Sequence, residues 1–483
     1  MQKYSVVTFG CQMNSHDSER ISDLLEDTGY EATDDVEEAD LVVLNTCSVR
    51  EKAVQKLRSE VGRMAVLKRR RPNMVLAVAG CVAQQEGEKL LRSMRSVDLI
   101  FGPDNIPELP ALLSQLEQGG PALVRTEFDL EEPSFLMARP RDGRGPTAFV
   151  TTMKGCDERC SYCIVPTTRG PERYRGSSEV LEEIRRLVDS GVKEVTLLGQ
   201  TVDSYIDPES RLAPAPHAGE ERARHARGKL SREDETEFPA LLYAIASEVP
   251  ELKRLRYTSP HPRHLTPSLI VAHRELPVLV RHVHMPVQSG SDRVLKRMLR
   301  RYSIAEYLER TGQLKEAVPG LTLSTDIIVG FPGETREDFE KTLDVMRAAS
   351  FTGVYGFKYS ERPFTPALKM DNDVSEEEKS ERLTELFDLA DDIRNAHLAS
   401  LVGTDQRLLV EGFSRGGGYT GRTERNEIVH FGCSDDPVGQ LVDVKIERAF
   451  KHSLAAVLLD NIRARPLGGQ DQATSKRSLN VVS

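Results

Sequence analysis

The sequence predicts an α/β protein with an N-terminal parallel-sheet domain, a central full or partial (β/α) barrel and a small C-terminal all-β barrel. Apolar runs of strand length alternate with helical patterns through the first third of the chain. The alternation resumes after a Pro-rich and Arg-rich connection, and short strands without helices follow Leu401. Strands that alternate with helices form parallel sheets, whereas short strands between Gly and Asp turns are typical of small barrels.

The first third of the chain repeats one unit three times. The runs KYSVVTFGC, DLVVLNTC and MVLAVAGC end at Cys11, Cys47 and Cys81, and a helical pattern follows each. Right-handed crossovers bring the carboxyl ends of parallel strands to one edge of a sheet, where α/β sheets build their sites. We therefore expect these three cysteines to lie together. The alternative is three small buried residues at the ends of strands.

The domains are expected at residues 1–118, 142–385 and 401–465. In the second domain, runs such as TAFVTTMKGC and LTLSTDIIVGFPGET end in polar or glycine-rich loops, as strands of a (β/α) barrel do at the edge that carries its site. Residues 207–237 are charged and almost free of large apolar side chains, which predicts an exposed insertion. Residues 466–483 are expected to form a polar tail.

Composition limits the cellular setting. The chain has 483 residues and a formal charge of -10, which argues against indiscriminate coating of nucleic acid but allows a local basic face. The N-terminus lacks the features of a signal peptide, and no apolar stretch approaches the roughly 20 residues of a membrane span. We expect a cytoplasmic protein without a membrane partner, in which clustered cysteines bind metal or act in catalysis.

The segment TTMKGCDERCSYCIVPTTRG carries three more cysteines, Cys156, Cys160 and Cys163, at C-x3-C-x2-C spacing. A structural zinc site needs four ligands, and disulfides need an even number of cysteines. Three thiolates around a 4Fe-4S cluster instead leave one iron without a protein ligand. The seventh cysteine, Cys433, has no partner in the sequence and is expected to be a small packed residue.

With Tyr162 before its last cysteine, this loop resembles the signature of radical S-adenosylmethionine (SAM) enzymes. The three upstream cysteines and the C-terminal barrel, which resembles a TRAM domain, are similar to the methylthiotransferases of that superfamily. The segments FGCQMNSHDSE, NTCSVREKA and AGCVAQQEGE resemble the corresponding segments of the members that modify isopentenyladenosine (dimethylallyladenosine) in tRNA. The chain departs from the family in RYRG, in GQTVDSY and in the insertion, and none of these departures touches a cysteine.

The resemblance implies two 4Fe-4S clusters, one at Cys156, Cys160 and Cys163 and an auxiliary cluster at Cys11, Cys47 and Cys81. It implies that SAM chelates the open iron of the first cluster. SAM would be used twice, as methyl donor and as source of a 5'-deoxyadenosyl radical, to insert a methylthio group at C2 of isopentenyladenosine next to the anticodon. The implied partners are the tRNA anticodon stem-loop, an electron donor such as flavodoxin or ferredoxin, and an unidentified sulfur or cluster donor. We expect a monomer.

Two alternatives use the same cysteines. A sibling methylthiotransferase acts on threonylcarbamoyladenosine in tRNA or on an aspartate of a ribosomal protein. An iron–sulfur electron carrier is disfavoured, because a carrier gains nothing from two clusters that each lack one protein ligand.

Further candidate residues follow predicted strands. Resemblance places Tyr162 against the adenine of SAM. Other candidates for SAM contact are Gly199 and Gln200 near its amino group, and Gln288, Ser289 and Asp326 near its ribose or adenine. Ordinary barrel turns are the alternative.

Two groups of basic residues lie near these loops. Arg169, Arg173 and Arg175 directly follow the cysteine loop, which predicts contact with RNA phosphates. A second run, close to VQSGS, fits either an RNA backbone or a solvated helix face. Its members are Arg293, Lys296, Arg297, Arg300 and Arg301.

Overall fold

The computed structural model describes residues 1–48, 51–131, 134–139, 145–215, 236–414, 416–459 and 481–482. Most of the predicted insertion and most of the predicted polar tail lie outside these residues. The predicted fold class is confirmed in all three parts of the chain.

The N-terminal part is a parallel sheet with helices on both faces. Its strands lie in the order β2-β1-β3-β4-β5-β6. Their bounds are β1 Lys3–Phe9, β2 Glu31–Ala32, β3 Leu41–Thr46, β4 Val75–Ala79, β5 Leu99–Phe101 and β6 Leu123–Arg125. The helices are α1 Gln12–Asp27, α2 Glu51–Arg70, α3 Cys81–Ser93 and α4 Leu109–Glu117. One core joins α1 and α4 to the sheet and a second joins α2 and α3 to the opposite face, so β3 is buried along its whole length, as expected of a central parallel strand.

Within the described residues the central part has eight strands, and six of them form an open parallel arc. Its strands are β7 Thr147–Thr151, β8 Met153–Lys154, β9 Arg173–Tyr174, β10 Glu194–Leu198, β11 Arg254–Tyr257, β12 His282–His284, β13 Thr322–Val329 and β14 Gly353–Lys358. The sheets β7-β10-β11 and β12-β13-β14 meet through the parallel bridge between Leu255 and Leu279. Strands β8 and β9 form a separate antiparallel pair. Within the described chain, the (β/α) barrel is therefore partial.

Helices pack around the arc. They are α5 Val165–Arg169, α6 Ser177–Asp189, α7 Phe238–Glu248, α8 Pro267–Glu275, α9 Asp292–Arg297, α10 Ile304–Ala317, α11 Arg336–Ala349 and α12 Glu376–Ser400. The last three begin with capping boxes formed by Ser303, Thr335 and Ser375, which fix where each helix starts.

The C-terminal part is a closed five-stranded barrel in the order β15-β16-β17-β19-β18. Its strands are β15 Asp405–Phe413, β16 Tyr419–Thr423, β17 Ile428–Phe431, β18 Leu441–Ala449 and β19 Leu454–Leu458. Cys433 is packed in its apolar core, as predicted. At the start of β11, Arg254 donates to the carbonyls of Arg422 and Arg407 at 2.7 and 3.1 Å. The barrel thus contacts the amino ends of the central strands.

Short strand β20, Val481–Val482, pairs in parallel with the end of β1. Of the helices in the described ranges, none has both the length and the apolar character needed to cross a membrane.

Candidate active site

Three cysteines lie at one edge of the N-terminal sheet. Cys11 lies between β1 and α1, Cys47 follows β3, and Cys81 begins α3 after β4. These strands are direct neighbours in the sheet, with β3 in the middle. A hydrogen bond from Cys47 lowers the pKa of Cys11 to about 6. The predicted grouping of these cysteines at one edge of the sheet is therefore present in the fold.

A buried polar network supports this edge. The side chain of Asn14 donates to Asn45 Oδ1 at 3.2 Å, and Asn45 Nδ2 donates to the Asn14 carbonyl and to Ser18 Oγ, both at 2.9 Å. Gly80 has φ +91°, and a Cβ there would lie 2.3 Å from Asn45 Oδ1. This network was not predicted from the sequence, although an asparagine inside the apolar run LVVLNT is a signal, because buried amides require partners.

The C-x3-C-x2-C loop is held by backbone contacts. Cys156 N donates to the Gly170 carbonyl at 3.1 Å, and Ser161 N donates to the Met298 carbonyl at 3.0 Å. Gly155 has φ +78°, and a Cβ there would lie 1.8 Å from the Pro171 carbonyl oxygen. Only glycine permits this approach of two backbone segments.

The chemistry of the thiols fits metal binding. All seven cysteines are free thiols. Burial raises the pKa of Cys156 and of Cys163 to about 12, so these thiols need a nearby positive charge to ionise. A coordinated metal deprotonates a thiol outright. Among the described residues, no three His, Cys, Asp or Glu side chains converge on a single metal ion; a 4Fe-4S cluster does not need such convergence, because separate irons take separate thiolates.

Unpartnered polar atoms lie beside this loop. Cys156 Sγ lies 3.0 Å from Thr201 Oγ1. The buried Oε1 and Nε2 atoms of Gln200, which precedes Thr201 in the chain, have no hydrogen-bond partner among the described residues. The same is true of one carboxylate oxygen of Asp203 and of Nε2 of His261. Leaving such atoms unpaired costs about 1–3 kcal/mol each. The site therefore fits a polar ligand such as SAM, and Asp203 and His261 are candidates that sequence analysis missed.

The remaining predicted SAM residues take three positions. Tyr162 stacks edge-to-face on Phe331, with ring centroids 6.4 Å apart. Gly199 packs directly on Met153 at the end of β10. A third group joins neighbouring strand ends: Gln288 N donates to the Asp326 carbonyl at 2.9 Å, and Ser289 is fully buried beside it.

The three arginines after the cysteine loop are buried. The exposed fractions of Arg169, Arg173 and Arg175 are 6%, 8% and 1%. Arg173 pairs with Asp104 and Arg175 with Glu183. This burial argues against the predicted phosphate contacts, because each guanidinium is already held by a carboxylate of its own chain.

Arg169 connects the two sets of cysteines. Arg169 is six residues after Cys163 in the sequence, and its Nη2 and Nη1 atoms donate to Asp17 of α1 at 2.6 and 3.4 Å. Its Nε lies 3.3 Å from Cys81 Sγ. One side chain of the central domain thus reaches the cysteine edge of the N-terminal domain.

Comparison with known families agrees with this architecture. The chain matches Uncharacterized protein family UPF0004 over residues 3–102, the Radical SAM superfamily over residues 150–346 and the TRAM domain over residues 399–459. Its fold is similar to that of TsrM from Kitasatospora setae, a radical SAM methyltransferase solved with cobalamin and a 4Fe-4S cluster. The TM-score is 0.53 at 15% identity, over 76% of this chain and 77% of that chain. Fold and family together define a radical SAM enzyme.

Relatives identify the family within that superfamily. The chain is 58% identical to the tRNA-2-methylthio-N(6)-dimethylallyladenosine synthase of Sorangium cellulosum, over 100% of this chain and 99% of the relative. It is 43% identical to the synthase of Syntrophus aciditrophicus, over 94% of each chain, and 44% identical to that of Geobacter sulfurreducens, over 93% and 96%. The chain belongs to the tRNA-2-methylthio-N(6)-dimethylallyladenosine synthase family, which confirms the predicted resemblance.

Proposed function

We propose that this enzyme inserts a methylthio group at C2 of N6-dimethylallyladenosine (isopentenyladenosine) next to the anticodon of tRNA. Residues 1–118 would carry an auxiliary 4Fe-4S cluster, residues 142–385 would carry a second cluster with SAM, and residues 401–465 would contact the RNA. Membership of the family supports this reaction, and the three matched families support this division of the chain.

The observation that carries the proposal is the contact made by Arg169. Because its guanidinium lies 3.3 Å from Cys81 Sγ and its helix follows the Cys163 turn, this contact supports placing the two cysteine sets on the two sides of the domain boundary. A base held at this boundary is accessible from both sides. Hydrogen abstraction and sulfur delivery at one carbon require this arrangement, since both must occur without moving the base far.

The chain supplies positioning and the bound groups supply the chemistry. When bound, the two clusters and two molecules of SAM per product provide the radical, the methyl group and the sulfur. Cys156, Cys160 and Cys163 would hold one cluster with one iron left for SAM, and the free amide of Gln200 would pair with polar atoms of SAM. The surrounding core excludes water from these groups.

The C-terminal barrel has features suited to RNA. Phe413 is 57% exposed and Phe450 is 41% exposed, and the Arg448 guanidinium lies 4.4 Å from the centroid of the Phe450 ring. Exposed aromatic rings and arginine planes stack on unpaired bases. These side chains replace the buried arginines of the central domain as our candidates for RNA contact.

The reaction requires partners besides tRNA. We expect an electron donor such as flavodoxin or ferredoxin, a separate sulfur or cluster donor, and a cytoplasmic location, where tRNA is found.

The test is anaerobic reconstitution with iron and sulfide, followed by SAM, reductant and tRNA. One tRNA carries dimethylallyladenosine and another carries threonylcarbamoyladenosine, and the nucleosides are analysed by mass spectrometry. A methylthio gain on dimethylallyladenosine alone is expected. A gain on threonylcarbamoyladenosine alone would assign the sibling activity, and 5'-deoxyadenosine without either product would redirect the search to protein substrates.

Cysteine variants separate the two sites. Cys156→Ala should abolish both 5'-deoxyadenosine and methylthio formation, whereas Cys11→Ala should abolish methylthio formation and retain SAM cleavage. Cys433→Ala is the matched control, because this thiol is packed in the C-terminal barrel and should retain both reactions. Full methylthiolation by Cys11→Ala would disprove the auxiliary cluster.

A further inference from the structure

A concave basic surface lies outside the Cys160 turn. It encloses about 650 Å³ and is lined by Arg159, Lys296, Arg300 and Arg301 around the exposed side chain of Leu299. Its two carboxylates keep their charge but already accept hydrogen bonds: Asp292 accepts from Ile304 N at 2.7 Å, and Glu306 caps its own helix at Ser303. The four cations outnumber these two carboxylates, so the surface has a net positive charge.

Three of these cations are available to a partner. Arg159, Lys296 and Arg301 are exposed, and within the described part of the chain none of their side chains makes a hydrogen bond or ion pair. Neighbouring basic residues differ in this respect, since Arg293 pairs with Asp338 and Arg297 donates to the Pro332 carbonyl. The available charge is thus concentrated on one small area.

This area is connected directly to the cysteine loop. Arg300 Nη1 lies 3.3 Å from Cys160 Sγ, and Ser161 Oγ donates to the Arg297 carbonyl at 2.8 Å. A protein bound to this surface is separated from the Cys160 sulfur by one arginine side chain. Electron transfer requires such closeness, because its rate falls steeply with distance.

The surface and the proposed base site involve different residues around the loop. Arg169, six residues after Cys163, lies 3.3 Å from Cys81 Sγ, where the base is proposed to bind. Arg300 lies beside Cys160 Sγ.

We infer that the basic surface around Arg300 is the docking site for a small acidic electron-carrier protein. This inference rests on the proposed function. The bound carrier passes one electron to the oxidised cluster held by Cys156, Cys160 and Cys163. In a flavin carrier the anionic hydroquinone becomes the neutral semiquinone, the cluster goes from the 2+ to the 1+ state, and no bond breaks. Complementary charge suits the small, transient interfaces of electron-transfer pairs and makes their association sensitive to salt.

The test compares two charge-matched triple variants of the full chain. Arg159→Gln/Lys296→Gln/Arg301→Gln removes the three available cations. Arg58→Gln/Arg95→Gln/Lys253→Gln removes two arginines and one lysine that are likewise exposed, at other places on the surface. Reduction of the reconstituted cluster by flavodoxin hydroquinone is followed as loss of visible absorbance at low salt, without tRNA. Calorimetry with oxidised flavodoxin reports docking alone.

Flavodoxin should reduce the cluster of the Arg159→Gln/Lys296→Gln/Arg301→Gln variant about tenfold more slowly than that of the control variant, as expected when electrostatic steering is lost. Its affinity for oxidised flavodoxin should fall by a similar factor. Reduction by a small neutral photoreduced deazaflavin should be unchanged, as should affinity for tRNA. Because neither measurement uses methylthio product, failure of the proposed substrate does not affect them.

Equal flavodoxin rates in the two triple variants would overturn the inference. Weakened tRNA binding with an unchanged flavodoxin rate would also overturn it and assign the surface to RNA. Should the Arg159→Gln/Lys296→Gln/Arg301→Gln variant hold less iron, Lys296→Gln alone is used, with an expected slowing of about twofold from one lost charge; an unchanged rate in that variant would reject the inference as well.

Discussion

Asp17→Asn tests the link between the N-terminal and central domains. Arg169 and Asp17 are both buried, and the guanidinium makes two hydrogen bonds to the carboxylate. Removing one partner of a buried pair costs about 3–5 kcal/mol, because the other charge is left uncompensated. Burial alone raises the pKa of Asp17, but Arg169 and His16 lower it to about 2 from 3.8, a net preference for the ion of about 2 kcal/mol. We therefore expect a loss of about 3 kcal/mol.

Native-state hydrogen exchange of the protein without clusters measures this loss. Since about 1.4 kcal/mol is a factor of ten, peptides covering residues 11–20 and 160–171 should exchange roughly a hundredfold faster in Asp17→Asn. Glu182→Gln is the control, because its pair with Arg186 is exposed and should contribute less than about 0.5 kcal/mol. Exchange in Asp17→Asn as slow as in the control would refute the reasoning.

The same pair predicts a pH dependence. The pKa of Asp17 is lower in the folded than in the unfolded protein, so its stabilisation is complete above the unfolded value of 3.8 and is lost as the pH falls toward about 2. The difference between wild type and Asp17→Asn should be present in full at about pH 5 and should shrink below about pH 4. A difference that grows on acidification would contradict the assignment.

Three further predictions concern the loops and the barrel. Gly155→Ala should reduce bound iron after reconstitution, because its methyl group would lie 1.8 Å from the Pro171 carbonyl oxygen; normal iron content would contradict this. Gln200→Ala should raise the dissociation constant of SAM about tenfold in equilibrium dialysis, since about 1–2 kcal/mol of hydrogen bonding is lost; an unchanged constant would exclude Gln200 as a SAM residue. Arg254→Met removes donors to the carbonyls of Arg422 and Arg407. It should speed proteolysis between α12 and β15 without affecting SAM cleavage, and an unchanged digestion pattern would show that the barrel is held by other contacts.

Strand-end cysteines were predictable because their geometry is local. An apolar run of strand length followed by a helical pattern places its last residue at the carboxyl edge of the sheet, and β1, β3 and β4 follow this rule. The partners of the arginines were not predictable in this way. Arg169, Arg173 and Arg175 lie close to the cysteines in sequence, which suggested phosphate contact, but Asp17 and Asp104 come from an earlier domain and no local pattern pairs them. Asn45 was identifiable as unusual in its strand, whereas its bond to Asn14 depended on the packing of α1 on the sheet.

The barrel and the cysteine loops lie at opposite ends of the central strands. Arg254 anchors the barrel at the start of β11, and Thr322 Oγ1 at the start of β13 donates to the Arg425 carbonyl at 3.3 Å. Strand β13 has 8 residues, which span about 25 Å at roughly 3.3 Å per residue. If the barrel holds RNA as proposed, the central strands fix the distance between the base that is modified and the part of the RNA that the barrel binds. Substrate choice would then depend on the distance along the folded RNA between these two points, in addition to the chemistry of the base.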